Sequence, residues 1–145
     1  MDYSVIPTWG DAQAGKEKVA ALAWKPFQSR RATPQQVYDW FEHKGYGGLA
    51  ILTGRISGLV VLDFDEQPLL QDFRAQFPHL VETRTVQTRR GQHLYFTLPP
   101  YVHLASAKGQ GIDLQSDGRY VIAPPSVIEG YEYKVCRGGQ PYSLT

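Results

Sequence analysis

The run Leu59-Val60-Val61-Leu62-Asp63-Phe64-Asp65 closes an apolar, partly β-branched series with two acids. The series predicts a buried strand. In a strand, side chains two apart share a face, so Asp63 and Asp65 stand side by side, their Cα atoms about 6.5–7 Å apart. Two readings follow. The strand ends in solvent and both carboxylates are hydrated, or the pair shares one or two oxygen-seeking divalent cations. Like charges at the end of a buried strand are costly unless something positive lies between them. The segment alone leaves both readings open.

Outward from this strand the chain alternates helical and extended signals. Upstream, Leu49–Leu52 is a second apolar run, and Thr53-Gly54-Arg55-Ile56-Ser57-Gly58 between the two predicts a β-hairpin. Thr33-Pro34-Gln35-Gln36 is a helix start, with Thr33 at the N-cap, proline at the first position and Gln36 placed to close a capping box. Val37, Trp40 and Phe41 give that helix an apolar stripe, and Gly45 a stop. A short strand over Ser4–Pro7 and a loop over residues 8–18 precede it. Downstream, Pro68 opens a helix whose Leu69, Leu70, Phe73 and Phe77 share a face. Thr83–Thr88 and Gln92–Leu98 then read as strands joined by the turn Arg89-Arg90-Gly91. Ile112–Leu114 and Arg119–Ala123 flank Ser116-Asp117-Gly118, a second hairpin signal, and Pro124-Pro125 ends the last strand. The fold class is therefore α+β (mixed α/β) with a β-α-β-β core from Leu59, and the hairpins argue against a doubly wound parallel sheet.

With 145 residues the chain suits one domain with a real core. No run approaches the roughly 18 apolar residues of a membrane span. Met1-Asp2-Tyr3-Ser4 does not open a secretory signal. Cys136 is the only cysteine, which excludes an internal disulfide and a thiolate zinc cluster within the chain. A cytoplasmic setting is expected. The net charge of +1 decides nothing about nucleic acid, because metal-binding acids cancel a basic groove in the sum. Its distribution is more informative: Lys16, Lys18, Lys25, Arg30 and Arg31 come early, Arg84, Arg89 and Arg90 centrally, and the densest acidic cluster spans Asp63 to Asp72.

Three further groups bear on chemistry. Asp113, between Ile112 and Leu114, is a strand acid that needs a partner. It either caps a nearby amide or joins Asp63 and Asp65 in a three-carboxylate site of the kind that holds two cations about 3.5–4 Å apart for phosphoryl transfer. His93 and Tyr95 share one strand face, Leu94 and Phe96 the other. Arg89 and Arg90 lie on a glycine turn that aims cationic side chains and amides at an anion, or is simply solvated. No GxxxxGK phosphate loop, GxGxxG fingerprint or GxSxG elbow is present.

Taken in order, Asp63-Phe64-Asp65, Arg89-Arg90-Gly91-Gln92-His93-Leu94-Tyr95-Phe96, Gly111-Ile112-Asp113-Leu114 and Gly118-Arg119-Tyr120-Val121-Ile122-Ala123-Pro124-Pro125-Ser126 resemble the bifunctional primase–polymerase (prim-pol) domain of the archaeo-eukaryotic primase superfamily, found in plasmids, phages and mobile elements. Lys25-Pro26, Arg31-Ala32-Thr33 and the Trp40 helix resemble its N-terminal module, so the likeness runs from about Val5 to Tyr133. The resemblance implies an RRM-like catalytic core over about residues 59–145 packed on a small N-terminal α/β module over about residues 1–58, together one domain over residues 1–145. It implies a template-dependent nucleotidyltransferase, a DNA primase and DNA polymerase working by two-metal-ion phosphoryl transfer. Asp63, Asp65 and Asp113 match the metal-binding acids, for Mg2+ or Mn2+. His93 matches the histidine that contacts the incoming triphosphate. Arg89 stands where relatives often carry a serine, Arg90 follows it, and Gly91 keeps the glycine of that motif. Arg119 is a further candidate for a nucleotide or template contact. Implied partners are a single-stranded DNA template and primer, dNTP or NTP, and a replicative helicase or accessory domain not found in this chain; none is a membrane. A nucleic-acid- or nucleotide-binding module that does not polymerise by itself, and a metal-dependent nuclease, are the alternatives. If the polymerase reading holds, the three acids converge beside His93, and both helices pack away from them.

Overall fold

The structure is a computed structural model that describes residues 3–100 and 102–144. Met1 and Asp2, on which the reading of the N-terminus partly rests, lie outside the described residues. In chain order the elements are β1 (Val5–Thr8), α1 (Pro34–Tyr38), β2 (Gly48–Leu52), β3 (Leu59–Phe64), α2 (Gln67–Gln76), β4 (Thr85–Gln87), β5 (Gln92–Thr97), β6 (Ala107–Lys108), β7 (Ile112–Gln115), β8 (Tyr120–Ile122), β9 (Val127–Ile128), β10 (Tyr131–Glu132), β11 (Lys134–Arg137) and β12 (Tyr142–Ser143). The expected mixed α and β content is present, as mostly antiparallel sheet with few helices. None of the described helices is long and apolar enough to cross a membrane.

Local signals set the helices. Gln36 N donates to Thr33 Oγ1 at 3.1 Å and Thr33 N to Gln36 Oε1 at 2.9 Å, closing the capping box at the start of α1. Such a cap is worth about 1 kcal/mol. The helix then widens into a π-helical turn over Asp39–His43, which Lys44 N ends on Asp39 O. Trp40 on this segment is buried against Phe27, their rings edge to face at 5.5 Å.

Two larger sheets and the two-stranded pair β9-β10 carry the rest. The first has the order β1-β2-β8, all antiparallel, with Val5 opposite Ile51 and Ala50 opposite Ile122. The second runs β11-β4-β5-β3-β7-β6, with β12 parallel beside the far half of β5. Strand β3 lies at its centre, between β5 and β7, and is wholly buried over Leu59–Val61. Side-chain alternation then separates two cores. Leu59, Val61, Val86 and Tyr95 pack with Ile6, Ala50, Leu52 and Val121 of the first sheet. Phe64, Leu94 and Phe96 pack under α2 through Leu70 and Phe73. Each such Leu or Phe, fully buried, contributes about 1.5–3 kcal/mol. The second sheet thus lies between α2 and the first sheet.

Neither hairpin expected from the turn signals forms. Between Leu52 and Leu59 only a bridge survives, Gly54 N to Leu59 O at 2.6 Å and Leu59 N to Gly54 O at 3.2 Å, and the strands diverge into different sheets. Both runs are apolar on both faces, so each becomes a central strand with two neighbours. Likewise β7 stays in the second sheet while β8 crosses to the first. Asp117 in that connection accepts Arg55 N–H at 2.9 Å and pairs with His103 Nδ1 at 2.9 Å, so it anchors the crossing.

Candidate active site

Asp63 occupies one rung of the second sheet, directly opposite His93 of β5 on one side and Asp113 of β7 on the other. It shares a face with Val61, but lies beyond the part of that face which the first sheet covers. Strand β3 ends at Phe64, yet Asp65 N still donates to Gly111 O at 2.9 Å, so the extended ladder continues and carries Asp65 to the same side. Asp63 and Asp65 form one wall of an open cavity of about 510 Å³, also lined by Lys18, Thr88, Arg89, Arg90, His93, Ile128, Glu129 and Tyr133. No helix contributes to this lining among the described residues. Both helices pack elsewhere, as expected.

The arginines reach the cavity through a tight turn. Thr88 N donates to Gly91 O at 3.0 Å and Gly91 N to Thr88 Oγ1 at 3.1 Å, which leaves Arg89 and Arg90 at the exposed corners. Gly91 is buried against the end of β3, where an added Cβ would overlap the Phe64 carbonyl oxygen. Backbone contact, not conformational freedom, therefore requires glycine there. Arg89 and Arg90 both line the cavity, while the Gly91 amide is engaged within the turn. Arg89 is paired with Glu129 across the opening.

Acidic and basic groups meet in this space. His93 Nε2 lies 3.3 Å from Asp63 Oδ1. Burial acts to raise the Asp63 carboxyl, but the hydrogen bond and charge of His93, a hydrogen bond from Gln115 and the charge of Lys18 hold it below the usual carboxylate range. Asp65 moves the other way. Lost hydration and the charges of Asp63 and Asp113 push it up, against the pull of Arg90 and Lys18. Tyr133 is pushed up to about 12 by burial and by the charges of Asp63 and Asp65. Its ring meets that of His93 edge-on at 6.0 Å, and His93 Nδ1 is buried without a hydrogen-bond partner among the described residues.

Of the residues singled out from the sequence, Asp63, Asp65, His93, Arg89 and Arg90 come together here, with Gly91 as their support. Asp113 is in register beside Asp63 but does not line the cavity, and its Oδ1 accepts Gly109 N–H at 3.1 Å. Among the described residues no three His, Cys, Asp or Glu side chains form a metal-binding cluster. Arg119 is exposed and away from the cavity, its carbonyl accepting Thr53 N–H at 3.0 Å. Lys18, Glu129 and Tyr133 also line the cavity. In the sequence Lys18 is one of several early basic residues, and no local pattern marks a loop lysine or a hairpin turn as facing a site 45 or 66 positions away (63 − 18 and 129 − 63).

A search of curated proteins finds no match. The family model described as bifunctional DNA primase/polymerase, N-terminal, matches residues 1–144. That match spans the two sheets, the acid-bearing strand and the cavity, and the chain belongs to the bifunctional DNA primase/polymerase N-terminal (Prim-Pol) family.

Proposed function

We propose that the cavity binds a nucleoside triphosphate with a divalent cation and that the chain is a template-dependent nucleotidyltransferase extending a primer on single-stranded DNA. The observation that carries this reading is that one cavity brings the acids Asp63 and Asp65 together with the cations Lys18, Arg89 and Arg90, the last two on a single turn. Its volume is within the range of small-molecule sites, about 300–1,000 Å³. Membership of the family suggests primase and polymerase activity.

The residues present fit Mg2+ or Mn2+. Asp65 is pushed up first by lost hydration and then by Asp63 and Asp113, and the carboxylate oxygens of Asp63 and Asp65 are the donor type these hard cations take. Mg2+ is commonly held by one or two carboxylates completed by substrate phosphates and water, so a full protein cage is not required. Asp63 and Asp65 would hold the ions, and Asp113 would join them after releasing Gly109 N–H. Bound there, the ions would lower the pKa of the primer 3′-hydroxyl and offset charge on the departing pyrophosphate. The chain's own contribution is placement. His93 orients the Asp63 carboxylate through Nε2, and because Nδ1 is buried away from the cavity surface, the ring would have to give up the Asp63 contact to meet a phosphate oxygen. Arg90 and Lys18 supply positive charge opposite the acids, and Gly91 fixes the height of the arginine turn over β3.

The order β4-β5-β3-β7 with its β-α-β-β connection supports an RRM-like core. The division into an N-terminal module over about residues 1–58 and a catalytic part over about residues 59–145 is part of the same proposal. So are an accessory domain or helicase partner and a role in plasmid, phage or mobile-element replication in the cytoplasm. One observation favours the second reading, a nucleotide-binding module that does not polymerise alone: Asp113 is engaged by Gly109 and not by the cavity. Primer extension on a single-stranded template with Mn2+ and either nucleotide class separates them. Metal-dependent extension supports the polymerase. Metal-dependent nucleotide binding without extension supports the module, and loss of labelled strand without nucleotide supports a nuclease.

A further inference from the structure

Residues Glu129 and Gly130 form the two-residue loop between β9 and β10, since Ile128 pairs with Tyr131 across it. Both have positive φ, +52° and +78°, the signature of a type I′ turn. Such a turn favours asparagine or glycine at its first corner, and Glu129 is the one non-glycine residue with positive φ among the described residues. The backbone gives glutamate no advantage there. Its side chain, however, crosses the opening of the cavity and pairs with the Arg89 guanidinium on the β4–β5 turn. Both residues line the same cavity, and both side chains are more than half exposed, so the pair is free of packing constraints. Strain confined to a residue at the edge of a charged cavity is a reason to ask what that residue does.

We propose that Glu129 is a specificity-determining competitor for Arg89: its carboxylate holds the guanidinium until a ligand carrying enough phosphate charge displaces it. The proposal rests on the nucleotide-binding reading above. The Arg89 fork matches a carboxylate and a phosphate by the same bidentate geometry, so the two occupants exclude one another. Glu129 also adds a like charge to the path of an entering polyphosphate. Because the pair is exposed, displacement is easy, and the contact sets a threshold and not a block.

Calorimetric titration with inorganic triphosphate, and with a deoxynucleoside triphosphate plus Mn2+, tests this on the intact chain. Glu129→Gln is expected to tighten both about three- to tenfold at low salt, and less near 1 M salt, where the screening length falls to about 3 Å. Glu129→Asn, too short to reach Arg89 but suited to the turn, is expected to tighten them as well and to melt higher than wild type. In an Arg89→Ala background the Glu129→Gln gain is expected to fall below about twofold. Unchanged or weaker binding by both Glu129 variants, with wild type binding normally, would overturn the inference and leave the proposed function standing. So would a gain that survives intact without Arg89. If wild type binds neither ligand, the proposed function falls, and the competition with it.

Discussion

Replacing Asp65 by asparagine removes one of two like charges on the same side of β3, and its sign on stability is opposite to that at Asp63. By strand rise the two Cα atoms are about 6.7 Å apart. At that separation two unit charges repel by about 0.6 kcal/mol in water and about 2.5 kcal/mol at an effective dielectric of 20. Asp65 is exposed, so solvent screening places the repulsion near the lower end, about 1 kcal/mol. For a domain of this size that raises Tm by about 2–4 °C. Asp63→Asn relieves the same repulsion but gives up the charge-assisted bond to His93, worth about 1.5–3 kcal/mol, and is expected to lower Tm by a similar amount. The pH dependence follows from the directions of the two shifts. Asp65 is raised in the fold, so its ionisation costs stability at neutral pH, and the advantage of Asp65→Asn fades as pH falls and the wild-type carboxyl takes up a proton. Asp63 is lowered, so its contribution is present above the unfolded carboxyl range and is lost as pH falls through its depressed value. Differential scanning calorimetry with a chelator from about pH 7 down through the carboxyl range, and at pH 7 with Mn2+, reads all of this. Mn2+ is expected to raise the wild-type Tm and to lose most of that effect in both variants. If Asp65→Asn lowers Tm as much as Asp63→Asn does, Asp65 is held by a protein partner, and the case for a cation against this wall collapses.

Other expected outcomes follow from the same geometry. Gly91→Ala pushes a methyl group into the Phe64 carbonyl and is expected to cost about 1–3 kcal/mol by denaturant melting, with nucleotide binding weakened as the arginine turn shifts; wild-type stability would show that β3 and the turn are not in contact. Tyr133, raised to about 12, stabilises the fold fully below the unfolded tyrosine range and loses that contribution as pH rises towards 12, so Tyr133→Phe is expected to flatten alkaline unfolding between about pH 10 and 12. Arg119→Ala is expected to leave nucleotide affinity within about twofold of wild type while Arg90→Ala weakens it, because only Arg90 lines the cavity; equal losses in a titration with nucleotide would return Arg119 to the site.

What could be read from the sequence was whatever is encoded within a few residues. The Thr33 capping box, the Leu69–Phe73 stripe of α2, the apolar run of β3 and the turn at Arg89-Arg90-Gly91 each carry their own instructions, and all take the expected form. The same-face placement of Asp63 and Asp65 follows from strand periodicity alone. Pairing between distant strands does not. Both hairpin signals were genuine turns, but Gly54 and Asp117 redirect the chain between sheets instead of folding it back on itself. No local rule distinguishes those outcomes, because the choice depends on which neighbours satisfy an apolar run on both sides. Asp113 shows the same limit. Its register beside Asp63 was foreseeable in outline, while the Gly109 amide that engages its carboxylate comes from the strand-edge geometry of β6 and β7. Lys18, Tyr133 and Glu129 are brought to the cavity by loops and a hairpin whose sequences say nothing about what they face.

The crossing of β8 into the first sheet has a temporal consequence. Chain order visits the first sheet, then the second, then the first again, then the second. When the ribosome has released β1 and β2, the open side of β2 still lacks its neighbour, and Ala50 and Leu52, fully buried in the finished protein, have no Ile122 or Tyr120 to pair with. That neighbour is synthesised some 70 residues later, about 4–14 s at ordinary translation rates of about 5–20 residues per second. Before that interval ends the β3–α2–β4–β5 unit with Asp63, Asp65 and His93 has been made, while the loop bearing Lys18 still lacks Tyr120, whose hydroxyl donates to Lys18 O at 2.8 Å. The acidic wall and the two arginines of the rim are therefore made together, and Lys18, although synthesised first, is the last to be fixed opposite them, so a chain interrupted before β8 would present its carboxylates without a positioned lysine.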